Sequence, residues 1–143
     1  MLDDTDYFLT KYWQKAPIVF RKALELPVDL PSPEDLAGLS FHEDVTSKII
    51  TREAKQWSVF SGPFTEEDFL RRGMWTLLVE NVDRHLHAVA ALKRCVGFLP
   101  EWRFNNIMVS FATSGAGVGP HFDRYDVFLI QGFGRRRWQL GDF

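Results

Sequence analysis

IMVSFATSGAGVGPHFDRYDVFLIQGFGRRRWQL, residues 107–140, decides how this chain is read. It opens on an apolar stretch over 107–112, with Ile107 and Val109 β-branched. Such residues fit a pleated, half-buried surface, so a strand is expected there. A loop of small residues follows over 113–119, then a strongly apolar run over 125–131. Gly132-Phe133-Gly134 suits a tight turn, and 135–140 reads as the strand that returns from it. Strand, loop, strand, turn and strand make the start of an antiparallel β core.

Upstream the pattern differs. Residues 6–15 predict a short helix, with Phe8, Leu9, Tyr12 and Trp13 at the spacing of one apolar face. Pro17 ends it, because the residue before a proline is biased towards extended backbone. Residues 18–20 read as a short strand, and Pro27, Pro31 and Pro33 break the next stretch into a loop. Ser32-Pro33-Glu34-Asp35 is a helix start: serine caps, proline takes the first helical position, and acids sit near the positive end of the dipole. Leu36 and Leu39 would be the buried residues of that helix. Residues 48–52 and 56–61 predict a hairpin around Glu53-Ala54-Lys55. Thr65-Glu66-Glu67-Asp68 caps another short helix, ending near Gly73. Residues 75–79 read as a buried strand. Residues 82–98 read as the longest helix, with Leu86, Val89, Ala90, Leu92, Lys93 and Val96 around it and Gly97 and Pro100 at its end.

This order predicts an α+β fold: helices and small strands over 1–104, then the first strands of an all-β core over 105–143. A closed antiparallel barrel or jelly roll takes roughly eight strands, and about three fit after residue 105. Val127-Phe128-Leu129-Ile130 would form an apolar edge of the kind that is normally covered or paired. The chain therefore reads as the front part of a larger domain.

The totals set outer bounds. A length of 143 residues fits one domain, and 45% hydrophobic with 25% charged residues is an ordinary globular balance. A net charge of −2 gives no global field towards nucleic acid or acidic membranes. Cys95, the single cysteine, can form no internal disulfide, which fits a reducing compartment. On an apolar helix it is expected to be buried and inert. The N-terminus lacks the charged-then-apolar pattern of a signal peptide, and no apolar run approaches the roughly 18 residues of a membrane span. A cytoplasmic protein is the expectation.

Within the deciding stretch, His121 and Asp123 stand two apart. In an extended segment such positions share a face, so an imidazole and a carboxylate lie side by side. They form two-thirds of the ligand set of a mononuclear iron oxygenase. An H-x-D pair alone is common, and a surface turn is the competing reading. The small-residue loop before it lets backbone approach a ligand closely, and the apolar run after it suits a site sunk in a barrel mouth. The glycines of 115–119 are no dinucleotide loop, which needs G-x-G-x-x-G opening a helix.

In Arg135-Arg136-Arg137-Trp138, a period of two puts Arg136 and Trp138 on one face. Arg136 could then point its two-pronged guanidinium into the site for a carboxylate. A buried arginine needs an anionic partner, which a dicarboxylate cosubstrate would supply. A solvated edge strand or a small RNA-touching patch competes with that reading. His85 and His87 on a helix would not face each other, so surface or packing roles are expected. His42 belongs to a loop or helix end.

Four stretches together carry a resemblance. They are Tyr12-Trp13-Gln14-Lys15-Ala16-Pro17, Ser61-Gly62-Pro63-Phe64, Gly117-Val118-Gly119-Pro120-His121-Phe122-Asp123 with Tyr125-Asp126-Val127-Phe128, and Ile130-Gln131-Gly132-Phe133-Gly134-Arg135-Arg136-Arg137-Trp138. Over essentially its whole length the chain resembles the JmjC-type ribosomal oxygenases of the cupin superfamily, and within them the arginine-hydroxylating bacterial branch. The resemblance implies that residues 105–143 begin a double-stranded β-helix, or jelly-roll, core that is incomplete in this chain. It implies an Fe(II)-dependent dioxygenase with 2-oxoglutarate as cosubstrate. His121 and Asp123 match the first two metal ligands. Arg136 matches the basic residue that holds the distal carboxylate of 2-oxoglutarate. The implied partner is a ribosomal protein, hydroxylated on an arginine side chain. No direct nucleic-acid or membrane partner is implied, and the full-length form would be a homodimer.

One departure stands out. The family's third metal ligand is a histidine on a later strand, and His42, His85 and His87 match no ligand position while none follows His121. The expectation is that these 143 residues alone bind Fe(II) weakly and turn over little 2-oxoglutarate. The alternative is a non-catalytic binding or scaffold fragment of the same fold. A downstream histidine would discriminate the two.

Overall fold

The computed structural model describes residues 5–141. Its centre is the hairpin of β1 (Ser47–Glu53) and β2 (Gln56–Ser61), joined through Ala54 and Lys55. Ala54 adopts φ 53°, the left-handed geometry a tight hairpin turn demands. β3 (Trp75–Val79) pairs with the other edge of β1, and β4 (Val109–Ala112) pairs with β3. The result is a 4-stranded antiparallel sheet of order β2-β1-β3-β4. The sheet spans both expected parts of the chain, since β4 lies beyond residue 105.

Register fixes which side chains share a face. Phe60, Ile49, Leu77 and Phe111 form one cross-strand row. Ile49, Leu77, Trp75 and Val79 enter the core with Leu36, Val45, Phe64, Val82 and Val89. The neighbouring row, Val59, Ile50, Thr76 and Ala112, faces the other way. Trp57, Leu78 and Ser110 share that second face through the period of two.

The helices are short. α1 (Thr5–Lys11) buries Phe8, and α2 (Pro33–Leu39) buries Leu36. The start of α2 has the serine cap expected from its sequence, extended to a capping box: the Asp35 amide donates to Ser32 Oγ at 3.1 Å, and the Ser32 amide donates to Asp35 Oδ2 at 2.9 Å. The bond from the Ser32 amide, with the Ser32 hydroxyl beside it, holds the Asp35 carboxyl below its ordinary range. Ser32→Ala is expected to cost about 1 kcal/mol and lower the thermal midpoint by about 3 °C. A circular dichroism melt checks this; an unchanged midpoint would show that the cap adds nothing.

Four expectations need correction. Residues 82–98 are not one helix. They divide into a 3₁₀ turn at Val82–Arg84, α3 (His87–Ala91) and a second 3₁₀ stretch at Leu92–Val96. Leu86 is extended, with φ −125° and ψ 116°, and its side chain does not cap α3. Val82, Leu86 and Val89 still pack on the core, while the first turn is tied to Ile107: the Val82 amide donates to the Ile107 carbonyl and the Ile107 amide donates to Asp83 Oδ1. Cys95 is half-buried rather than buried. Residues 18–20 form no strand; Phe20 instead meets Phe8 edge-on at 5.8 Å.

The fourth correction concerns 125–131 and 135–140, which form no strands among the described residues. A strand needs a neighbour for its backbone groups, and no described strand pairs with either segment. Phe128 instead stacks on Trp13 at 5.6 Å with planes 16° apart, beside Phe98 and Phe8. Gln14 Nε2 adds a bond to Asp126 Oδ2 at 3.1 Å. Val127, Leu129 and Ile130 remain exposed, as an uncovered apolar edge would be.

Candidate functional site

The second face of the sheet carries the site. Residues 113–119 leave β4 and turn back across the strands, held at three points. The Trp75 amide donates to Thr113 Oγ1 at 3.0 Å. Thr76 Oγ1 donates to the Gly117 carbonyl at 3.0 Å. Gly119 then lies against Trp57, close enough that an added Cβ would sit 3.1 Å from the indole ring. The loop thus passes from β3 to β2.

His121 and Asp123 follow directly. His121 Nε2 stands 3.9 Å from Asp123 Oδ2, and both side chains are partly exposed. That separation is too long for a hydrogen bond. Nδ1 of His121 lies 3.0 Å from the Gly119 carbonyl oxygen. A carbonyl only accepts, so this bond requires a proton on Nδ1, and in the neutral ring the lone pair is then on Nε2, facing the carboxylate. No strand is assigned here, yet the two side chains converge as the i, i+2 argument expects.

Arg136 reaches the same face from further along the chain. Its Nη1 donates to Ser110 Oγ of β4 at 2.9 Å, and its guanidinium lies 5.9 Å from the Trp138 ring centre. Arg136 and Trp138 keep company although 135–140 is not a strand. His42, His85 and His87 are exposed on other segments, in keeping with surface roles.

An imidazole and a carboxylate facing each other at this distance suit a divalent transition metal as two members of its ligand set. Among the described residues no group of three His, Cys, Asp or Glu side chains comes close enough to hold a metal ion. His121 and Asp123 therefore fit part of a metal site. Sequence reasoning did not single out Thr76, Trp57, Thr113 or Ser110. The one signal was Thr76, a polar residue inside the apolar strand WTLLV.

Comparison with known proteins bears on this geometry. A JmjC domain model matches residues 91–143. The chain is 44% identical over 135 residues to ribosomal protein uL16 3-hydroxylase of Escherichia coli (strain K12), covering 94% of this chain and 36% of that protein. It is 42% identical to a probable ribosomal oxygenase of Haemophilus influenzae, covering 95% of this chain and 34% of that one. The structure of YcfD, a ribosomal oxygenase from Escherichia coli, in complex with cobalt and 2-oxoglutarate superposes with a TM-score of 0.76 at 40% identity, covering 82% of this chain and 33% of YcfD. The chain spans about a third of the length of the curated relatives it matches. The JmjC match takes in β4, the loop and the His121–Asp123 pair together, so the stretch that carries the site is the stretch similar to a JmjC domain.

Proposed function

We propose that this chain is part of an Fe(II)- and 2-oxoglutarate-dependent oxygenase that hydroxylates an arginine side chain of a ribosomal protein. The observation that carries the reading is the facing of His121 Nε2 and Asp123 Oδ2 at 3.9 Å, directly after a loop pinned to the sheet. Its support from outside the chain is the similarity to ribosomal oxygenases, one of them solved with cobalt and 2-oxoglutarate. Residues 105–143 would then begin a double-stranded β-helix, with 1–104 as its α+β front part. Work on a ribosomal protein would place the protein in the cytoplasm.

His121 and Asp123 would hold the iron, and a third donor would come from outside these 143 residues. Bound there with 2-oxoglutarate, the metal supplies the activation of dioxygen needed to oxidise an unactivated C–H bond. The residues of this chain do the positioning. Nδ1–H of His121 holds its ring through the Gly119 carbonyl, so that Nε2 is the free donor. Asp123 supplies negative charge beside it. Arg136, oriented by Ser110 and Trp138, offers a paired set of N–H donors to the far carboxylate of 2-oxoglutarate.

Two measurements test this reading. The chain should bind Co(II) weakly and saturably, followed by visible absorption, and His121→Ala or Asp123→Ala should weaken binding about tenfold or more. Equal binding by all three proteins would sink the metal assignment and favour the scaffold reading. Deleting the gene should remove the mass of one oxygen atom from one ribosomal protein, read by intact-mass spectrometry. An unchanged ribosomal-protein profile would overturn the proposed substrate.

A further inference from the structure

The tautomer of His121 depends on where the Gly119 carbonyl points, and that is decided on the sheet. Gly119 has φ +81°, a conformation that side-chain-bearing residues rarely adopt. Its missing Cβ also leaves room for Trp57, whose ring atoms would lie 3.1 and 3.3 Å from such a carbon. Two residues earlier, the Gly117 carbonyl accepts from Thr76 Oγ1 at 3.0 Å. Thr76 is fully buried, so that hydroxyl has little freedom to leave its partner. A buried hydroxyl that loses its partner costs its full desolvation, which makes the grip on residue 117 firm. His121 itself is about half exposed. An imidazole in that setting has no fixed tautomer unless a neighbour imposes one.

We propose that Thr76 and Trp57 are positioning residues which, through residues 117–119, hold His121 as the Nδ1–H tautomer and so direct the Nε2 lone pair at Asp123. The usefulness of that arrangement rests on the proposed metal role of His121. The tautomer does not, and it can be read without any metal.

The experiment is long-range ¹H–¹⁵N correlation NMR of the histidine side chains in the 143-residue chain, at about pH 8, above the ordinary imidazole range. Wild type should show His121 as Nδ1–H. Thr76→Val keeps the side-chain shape but removes the hydroxyl, and it should convert His121 to a mixture of tautomers. Thr76→Ser restores the hydroxyl and should restore Nδ1–H. Gly119→Ala, which forces a carbon against Trp57, should also give a mixture. Thermal melts confirm that each variant is folded. Should Thr76→Val fail to fold, Gly119→Ala carries the test, because its loop lies outside the core.

Retention of the single Nδ1–H tautomer in a folded Thr76→Val or Gly119→Ala variant overturns the proposal, as does an Nε2–H signal in wild type. If the tautomer responds as described but His121→Ala leaves Co(II) binding unchanged, the metal reading fails and the positioning stands.

Discussion

Leu77→Ala is expected to remove about 3–4 kcal/mol of stability, against a total of about 5–15 kcal/mol for a domain of this kind. Leu77 is 1% exposed at the centre of β3. Ile49 and Phe111 flank it in the cross-strand row, and Ile49 is itself fully buried. Truncation would leave a cavity that strands on both sides hold open. Leu78, one residue on, points to the opposite face and is half-buried. Leu78→Ala should cost only about 1 kcal/mol, since little of its surface is withdrawn from water. Urea unfolding followed by tryptophan fluorescence separates the two: a large fall in midpoint for Leu77→Ala and a small one for Leu78→Ala, with unchanged slopes. Equal losses would mean that the assignment of faces is wrong. The same alternation decides the site, because Thr76 stands on the Leu78 side. One strand thus anchors the core with its odd positions and the loop before His121 with an even one.

What could be read from the sequence was local. The serine cap at Ser32 is signalled by four consecutive positions, and the structure forms it and adds the reciprocal bond to Asp35. The hairpin is signalled by β-rich runs on either side of a short turn, and β3 by five residues with hardly a polar atom. His121 and Asp123 are two apart, so their approach needed only an extended backbone. What failed was non-local. The break at Leu86 lies inside an apolar pattern that suits one continuous helix, so nothing in the local spacing signals it. Residues 125–140 have the composition of strands but no described neighbour to pair with, and composition cannot supply a neighbour. Arg136 was legible as a candidate, but its partner Ser110 lies 26 residues away. Thr76 and Gly117 are 41 apart, and nothing in either neighbourhood announces the other.

Asp83→Asn is expected to cost about 2–3 kcal/mol near pH 7 and much less near pH 3. Asp83 Oδ2 lies 2.6 Å from Lys93 Nζ, and the Asp83 side chain is only 7% exposed. Its Oδ1 accepts from the Ile107 amide at 2.9 Å, two residues before β4 begins. Asparagine keeps an acceptor for that amide but leaves the Lys93 charge without its partner. Because Lys93 is 26% exposed and reaches water, the loss should fall below that of a fully buried pair. Burial alone pushes the Asp83 carboxyl up, but the bonds from Lys93 and the Ile107 amide outweigh it and hold the group below its ordinary range. The folded state therefore resists protonation more than the unfolded one. The stabilisation is fully present above the unfolded carboxylate range, about pH 4, and is lost as pH falls through the lower, folded value. Urea midpoints of wild type and Asp83→Asn should accordingly differ widely at pH 7 and converge towards pH 3. A gap that stays constant across this range would show that the carboxylate charge is not what ties the 82–96 segment to the entry of β4. Asp35 and Asp68, lowered by their own capping bonds, titrate in the same direction in both proteins. They cancel in the comparison, so the convergence reports on Asp83 alone.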